Sequence, residues 1–298
     1  MHRAGMVAIV GRPNVGKSSL LNELVGTSLS ITSRKAQTTR HRILGVRTMP
    51  DHQILFVDTP GIQHLHQAAL NRHLNKSAIG AMSDVDAVLW VIEARRLLPE
   101  DERVLSLLPL TLPVVVAMNK SDLLKTEREK AQAFAIAQAL SEARSFSALV
   151  PVSAVKGFQV DILANTIAGL LAEQPPLMEA DAITDRSIRF LCAELIREKL
   201  FRLMGDEVPY EATVIIERFS EATPETRRIE IDATIVVARA SQKPMVIGEG
   251  GERIRRIGSE ARQDIIKLVE QPVHLQLWVK VKENWSDDDQ AVRSFGYE

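Results

Sequence analysis

Gly11-Arg12-Pro13-Asn14-Val15-Gly16-Lys17-Ser18 matches the pattern G-x-x-x-x-G-K-[ST]. Glycines in this pattern let successive backbone N–H groups turn inward around a phosphate chain, and the helix that follows adds the positive end of its dipole. Lys17 would reach the β- and γ-phosphates, Ser18 would ligate Mg²⁺ through its hydroxyl, and Ser19 lies beside it in the first helical turn. The context is the one the pattern needs. Met6-Val7-Ala8-Ile9-Val10 reads as a short buried strand, and the run from Ser18 to Val25 reads as a helix stopped by Gly26.

Further apolar runs follow at Ile54–Val57, Val85–Ile92, Pro113–Met118 and Leu149–Val152, with helical stretches between several of them, notably Thr126–Ala143. Buried strands alternating with helices predict an α/β domain with a mostly parallel sheet flanked by helices, running to about Ala172. Three segments sit at the ends of these strands, the edge where ligands bind in open α/β sheets. In Asp58-Thr59-Pro60-Gly61 the carboxylate can hold Mg²⁺ through water, and the Gly61 N–H can meet a γ-phosphate. In Asn119-Lys120-Ser121-Asp122 the Asp122 carboxylate can accept hydrogen bonds from guanine N1–H and the 2-amino group, both missing from adenine. Asn119 would bind the base at N7, and the Lys120 stem would cover the ring. Ser153-Ala154 offers backbone N–H groups to guanine O6. Together with Gly11–Ser18, these segments make the first ~170 residues resemble a Ras-like P-loop GTPase domain.

Ser28–Arg42 is polar, with no apolar period after Ile31. It reads as a switch whose threonine completes the Mg²⁺ shell when a γ-phosphate is present. The Thr-Arg pattern of related GTPases favours Thr39, with Thr38 as the alternative. Ile62 stands where Ras-like enzymes carry a water-orienting glutamine, so catalysis uses another group or waits for a partner; Gln63, His64 and His66 are near. In related potassium-activated GTPases an asparagine at the position of Asn14 helps hold K⁺ beside the phosphates. The expected catalytic set is Asn14, Lys17, Thr39 and Gly61, and the expected metal set is Ser18, Thr39 and Asp58.

Glu173-Gln174-Pro175-Pro176 removes two backbone donors and stops a helix, which places a linker over residues 173–183, between a domain at 1–172 and another at 184–298. The second domain reads helix, strand, strand, short helix, helix, strand. Its Gly248-Glu249-Gly250-Gly251 turn between helices fits the G-x-x-G loop by which KH domains approach a single-stranded sugar–phosphate chain. The order is that of an α+β, type II KH domain. The expected RNA contacts are Ile247, Gly248, Glu249, Gly250, Gly251, Arg253 and Arg256, with Arg255 and Arg262 adding positive charge. Glu249 stands where KH loops usually carry a basic residue. Residues 184–298 hold 18 Lys/Arg against 21 Asp/Glu, net −3. The acidic run Asp287-Asp288-Asp289 in the tail could sit near a helix N-terminus.

Composition bounds the rest. The chain has 298 residues with a net charge of −1, which excludes a strongly basic nucleic-acid coat while leaving a local basic face open. Cys192 is the single cysteine and has no internal disulfide partner, which fits a reducing cytosol. No apolar run approaches ~18 residues, so no membrane span is expected, nor does the N-terminus read as a signal peptide.

The whole chain resembles the Era-like family of bacterial GTPases, of the TrmE-Era-EngA-YihA-Septin class. The matching stretches are Gly11–Ser18, Ile31–Ile43, Asp58–Gly61, Asn119–Asp122, Thr184–Arg189, Met245–Gly251 and Pro272–Lys282. The resemblance implies GTP hydrolysis to GDP and phosphate with Mg²⁺ and K⁺, and binding near the 3′ end of 16S ribosomal RNA. It also implies a role in maturation of the small (30S) ribosomal subunit, a cytoplasmic monomer, and loose association with the inner membrane face. Three readings compete: a metabolic P-loop phosphotransferase, an RNA-binding assembly factor with a vestigial nucleotide site, and another ribosome- or tRNA-associated P-loop GTPase.

Overall fold

The computed structural model describes residues 2–31, 40–61, 69–204 and 208–297. It divides into two compact units that meet in sequence at Asp185/Arg186.

The first unit is built in the order β1 (Arg3–Val10), α1 (Lys17–Val25), β2 (Ile43–Thr48), β3 (His52–Asp58), α2 (Ala69–Gly80), β4 (Ala87–Glu93), α3 (Pro99–Leu107), β5 (Val114–Asn119), α4 (Glu127–Ala143), β6 (Ala148–Pro151) and α5 (Val160–Ala168). Its six-stranded sheet has the order β2-β3-β1-β4-β5-β6, with only β2 antiparallel to its neighbour. Every residue of β3, β4 and β5 is buried, because helices cover both sheet faces and no alternation with solvent is needed. Thr126 starts α4 by accepting from the Glu129 N–H, while the Glu129 carboxylate accepts from the Thr126 N–H, a reciprocal cap of two orphan donors.

The expected linker is bonded to this unit. Gln174 Nε2 donates to the Ala4 carbonyl at 2.8 Å, and the Val46 N–H donates to the Ile183 carbonyl at 2.8 Å. Gln53, fully buried on β3, would be costly there unpaired. Its Oε1 accepts from Leu177 and Met178 N–H, and its Nε2 donates to the Met178 carbonyl. Residues 173–183 thus serve as the backbone partner of a buried glutamine.

The second unit runs α6 (Ile188–Leu203), β7 (Ala212–Ser220), β8 (Ile229–Val237), α7 (Gln242–Ile247), α8 (Glu252–Val269), β9 (Val273–Val281) and α9 (Asp289–Ser294). β7 and β8 are antiparallel, β8 and β9 parallel. One core joins Cys192, Ile196 and Leu200 of α6, Ile257, Ala261 and Ile265 of α8, and Ile231, Ala233 and Ile235 of β8. Burial pushes the Cys192 thiol up to about 12, so it packs as a small apolar group. The tail closes on itself. Trp285 stacks on Tyr297 at 5.9 Å and meets Phe295 edge-on at 5.1 Å. Asp288 caps α9 by accepting from the Gln290 and Ala291 N–H groups. Among the described residues no helix is long and apolar enough to cross a membrane.

Candidate functional site

The phosphate end of the site forms where β1 turns into α1. Asn14 takes the left-handed conformation (φ 65°) at the exposed tip of the turn, a conformation Asn tolerates better than most residues. Lys17 is buried, and its ammonium donates to the Gly11 and Arg12 carbonyls at 3.0 Å each. Burial lowers its pKa from the ordinary 10.5 to about 8, although Asp58 nearby favours the charge. Ser18 Oγ donates to Asp58 Oδ2 at 3.1 Å, and Ser30 Oγ donates to the same oxygen at 2.8 Å. Thr59 Oγ1 donates to the Ile9 carbonyl at 2.8 Å, fixing the Asp-Thr-Pro-Gly turn against β1. Gly61 lies so close to the turn that an added Cβ would stand 3.0 Å from Pro13 N and 3.2 Å from Lys17 Nζ. A side chain there would press on both neighbours, which would have to give by a few tenths of an ångström.

This oxygen set fits Mg²⁺. A buried carboxylate and a hydroxyl converge beside a lysine, and no group of three His, Cys, Asp or Glu forms a cage among the described residues. Mg²⁺ is typically held in this way, by one or two side chains with phosphates and water supplying the rest. Thr39, its alternative Thr38, and Gln63, His64 and His66 lie outside the described residues.

The base end forms where β5 and β6 stop. Ser153 Oγ donates to Asp122 Oδ1 at 2.6 Å, fixing one carboxylate oxygen; a carboxylate has lone pairs left for further donors. Asn119, 2% exposed, joins the two ends. Its Nδ2 donates to the Val15 carbonyl at 2.9 Å, and its Oδ1 accepts from the Ala154 N–H at 3.1 Å. Sequence reasoning gave Asn119 to base N7 and the Ser153 and Ala154 N–H groups to O6. In the structure the amide first ties the phosphate loop to the Ser-Ala turn. The Ser153 N–H donates to the Phe158 carbonyl, so an O6 contact must share or displace an existing partner. Lys120 is left-handed (φ 62°), and its ammonium lies 3.7 Å from Glu93.

In the second unit, Gly248, Gly250 and Gly251 have φ of 73°, 54° and 78° between α7 and α8, values that L side chains resist. Glu249 and Gly250 are exposed. The arginines are engaged within the chain. Arg253 donates to the Met245 carbonyl and Arg255 to the Gly250 carbonyl. Arg256 pairs with Glu260 at 2.8 Å and Arg262 donates to the Val273 carbonyl at 3.4 Å. For Arg253 and Arg256 each of these bonds uses one nitrogen, so donors remain on both guanidinium groups.

A family model described as a 50S ribosome-binding GTPase matches residues 6–120, and a KH-domain model matches residues 207–286. GTPase Era of Bordetella pertussis is 49% identical over 296 residues, 99% of this chain and 98% of that protein. The chain belongs to the Era family. GTPase Era of Nitrosomonas eutropha is 48% identical over 297 residues, 100% of this chain and 98% of its own length. The crystal structure of an Aquifex aeolicus Era variant bound to GDP·AlF4⁻ is similar, with a TM-score of 0.93 and 39% identity, covering 99% of both chains. An Era structure in complex with MgGDPNP and nucleotides 1506–1542 of 16S ribosomal RNA has a TM-score of 0.94 and 39% identity, covering 100% of this chain and 99% of that one.

As an Era-family member the chain is a GTPase, with a P-loop domain and a C-terminal KH domain. Sequence reasoning passed over three polar residues of this Era-family site. Ser30 shares Asp58 with Ser18, but its signal was diluted in a long polar stretch. Glu93 ends β4 as Asp58 ends β3 and Asn119 ends β5; that shared position was legible. Asp101 is fully buried and accepts from Arg12 Nε at 2.8 Å. It sits in the first turn of α3 after Pro99, where an acid reads simply as a cap.

Proposed function

We propose that this chain is a GTP-hydrolysing switch whose KH unit binds the 3′ end of 16S ribosomal RNA during maturation of the small ribosomal subunit. The observation that carries it is the joining, through Asn119, of a phosphate end (Lys17, Ser18, Asp58) to a guanine end (Asp122, Ser153). Support for the RNA comes from the Era structure solved with that RNA segment, similar along the full chain.

Gly11, Arg12, Asn14, Val15 and Gly16 wrap the β-phosphate with backbone N–H groups, and Pro13, which has no N–H, fixes the turn between them. Lys17 exchanges its two carbonyl partners for phosphate oxygens. Asp122 accepts from guanine N1–H and the 2-amino group, while Ser153 holds the carboxylate in place. The Lys120 stem covers the ring. Ser18 and Asp58, joined by Thr39 when a γ-phosphate is present, would hold Mg²⁺, which supplies positive charge against the phosphate oxygens. Gly61 offers its N–H to the γ-phosphate. Water attacks, giving GDP and phosphate. Asn14 would help hold K⁺, which would supply the positive charge an arginine finger otherwise brings. In the KH unit the Gly248–Gly251 backbone approaches the RNA chain, and Ile247, at the end of α7, leads into that loop. The reading carries with it the cytoplasmic monomer and the peripheral contact with the inner membrane that the family resemblance implies.

Crosslinking of the full chain to total RNA, with and without a non-hydrolysable GTP analogue, tests it. Enrichment of the 16S 3′ end that increases with the analogue is expected. RNA capture with no 16S preference, or none in either state, would reject the RNA assignment.

A further inference from the structure

Arg12 varies freely in the phosphate-loop pattern, yet here its side chain is buried between two carboxylates. Its Nε donates to Asp101 Oδ2 at 2.8 Å and its Nη2 to Glu93 Oε2 at 3.1 Å. Asp101 also accepts from the Leu98 N–H at 2.9 Å, so it is anchored to the start of α3. The same Glu93 oxygen lies 3.7 Å from Lys120 Nζ and 3.5 Å from Arg96 Nε. Burial alone would push the Glu93 carboxyl up, but Lys120, Arg12 and Arg96 together hold it below the usual carboxylate range. One oxygen therefore faces a cation from the phosphate loop and a cation from the base-reading turn. The Arg12 carbonyl also receives the Lys17 ammonium.

We infer that Glu93 is a positioning residue for guanine-nucleotide retention, holding Lys120 over the base and tying it through Arg12 to the phosphate loop. The inference rests on the reading of Lys120 as the cover of the guanine ring. Without the carboxylate, Lys120 loses its counter-charge and the link to Arg12, which keeps only Asp101 as a carboxylate partner. The bound nucleotide then leaves faster while its entry is little changed.

Release of N-methylanthraniloyl-GDP from the full chain, followed by fluorescence in a chase with unlabelled GDP, tests this. Glu93→Gln should release about tenfold faster, mid-range for residues sharing one ion network. Lys120→Ala should also release faster, and adding Glu93→Gln to it should change the rate less than about twofold, because the carboxylate acts through that lysine. Glu93→Asp keeps the charge but shortens the reach; it should give about a threefold increase, again absent in the Lys120→Ala background, and it carries the test if the Gln variant does not fold. A Glu93→Gln rate within twofold of the parent would overturn the inference. So would an increase that persists in full without Lys120, which marks a merely structural residue. A parent chain that never retains the labelled GDP would overturn the guanine reading itself.

Discussion

Replacing Asn119 by alanine separates a joint between loops from a simple base contact. The side chain satisfies two buried backbone groups, the Val15 carbonyl at 2.9 Å and the Ala154 N–H at 3.1 Å. Truncation leaves both unpaired where water has little access. A buried polar group stripped of its partner costs about 1–3 kcal/mol, so the pair costs roughly 4 kcal/mol. In a domain of this size each kcal/mol moves Tm by about 2–4 °C, which gives a drop of roughly 12 °C. The assay is calorimetric melting of the nucleotide-free full chain. The transition of the first unit is the one that moves up when GDP is added, and the transition of the KH unit should stay in place. Asn119→Asp should melt no higher than Asn119→Ala, since it keeps the acceptor for Ala154 but buries a charge and sets a carboxylate oxygen against the Val15 carbonyl. A drop below about 2 °C for Asn119→Ala, with only nucleotide affinity lost, would refute the joint and leave Asn119 as a base contact alone.

Asp122→Asn removes an acceptor of two charge-assisted hydrogen bonds. GTP affinity should fall on the order of a hundredfold, with preference moving toward xanthosine triphosphate; an unchanged preference in competition binding would count against the assignment. Lys17 gives opposite pH trends for folding and binding. Its pKa is about 8 in the folded chain against an ordinary 10.5, so the unfolded chain binds that proton more tightly. Between those two pH values its contribution to ligand-free stability rises with pH, whereas GTP affinity, which needs the ammonium, declines. Melting and calorimetric titrations across the window check both slopes, and a flat affinity above pH 8 would contradict the role of the charged amine. Glu249→Lys should tighten binding of a 16S 3′-end oligonucleotide and steepen the salt dependence of log K by roughly one; parallel salt plots for parent and variant would place Glu249 away from the phosphates.

The strands that decide the first unit were legible because covered parallel strands appear as unbroken apolar runs: Ile54–Val57, Val114–Met118 and Leu149–Val152 all lie within or against observed strands. β2 was passed over. Its Ile43-Leu44-Gly45-Val46 core is apolar, but it leaves a polar stretch directly and pairs antiparallel at the sheet edge, so neither length nor periodicity singled it out. The second unit came out in the observed element order, helped by alternation in Ile229–Val237 and Val273–Val281; in β8 it marks burial only as far as Ala233, after which both faces are covered. The residues proposed for the phosphate and base ends stand out in the sequence because the chemistry asked of them fixes residue type and spacing. The links between them were not. Asn119 to Val15, Arg12 to Asp101 and Gln53 to the segment after Glu173 span 104, 89 and about 125 positions, and no local pattern encodes a partner that distant.

The central claim, that one joined site reads both a triphosphate and a guanine, is most directly tested by calorimetric titration of the full chain with a non-hydrolysable GTP analogue and Mg²⁺, beside the matching ATP analogue. The account predicts a single saturating site for the guanine analogue and no measurable heat for the adenine one. Absence of heat with the guanine analogue, or equal affinity for the two, would contradict it.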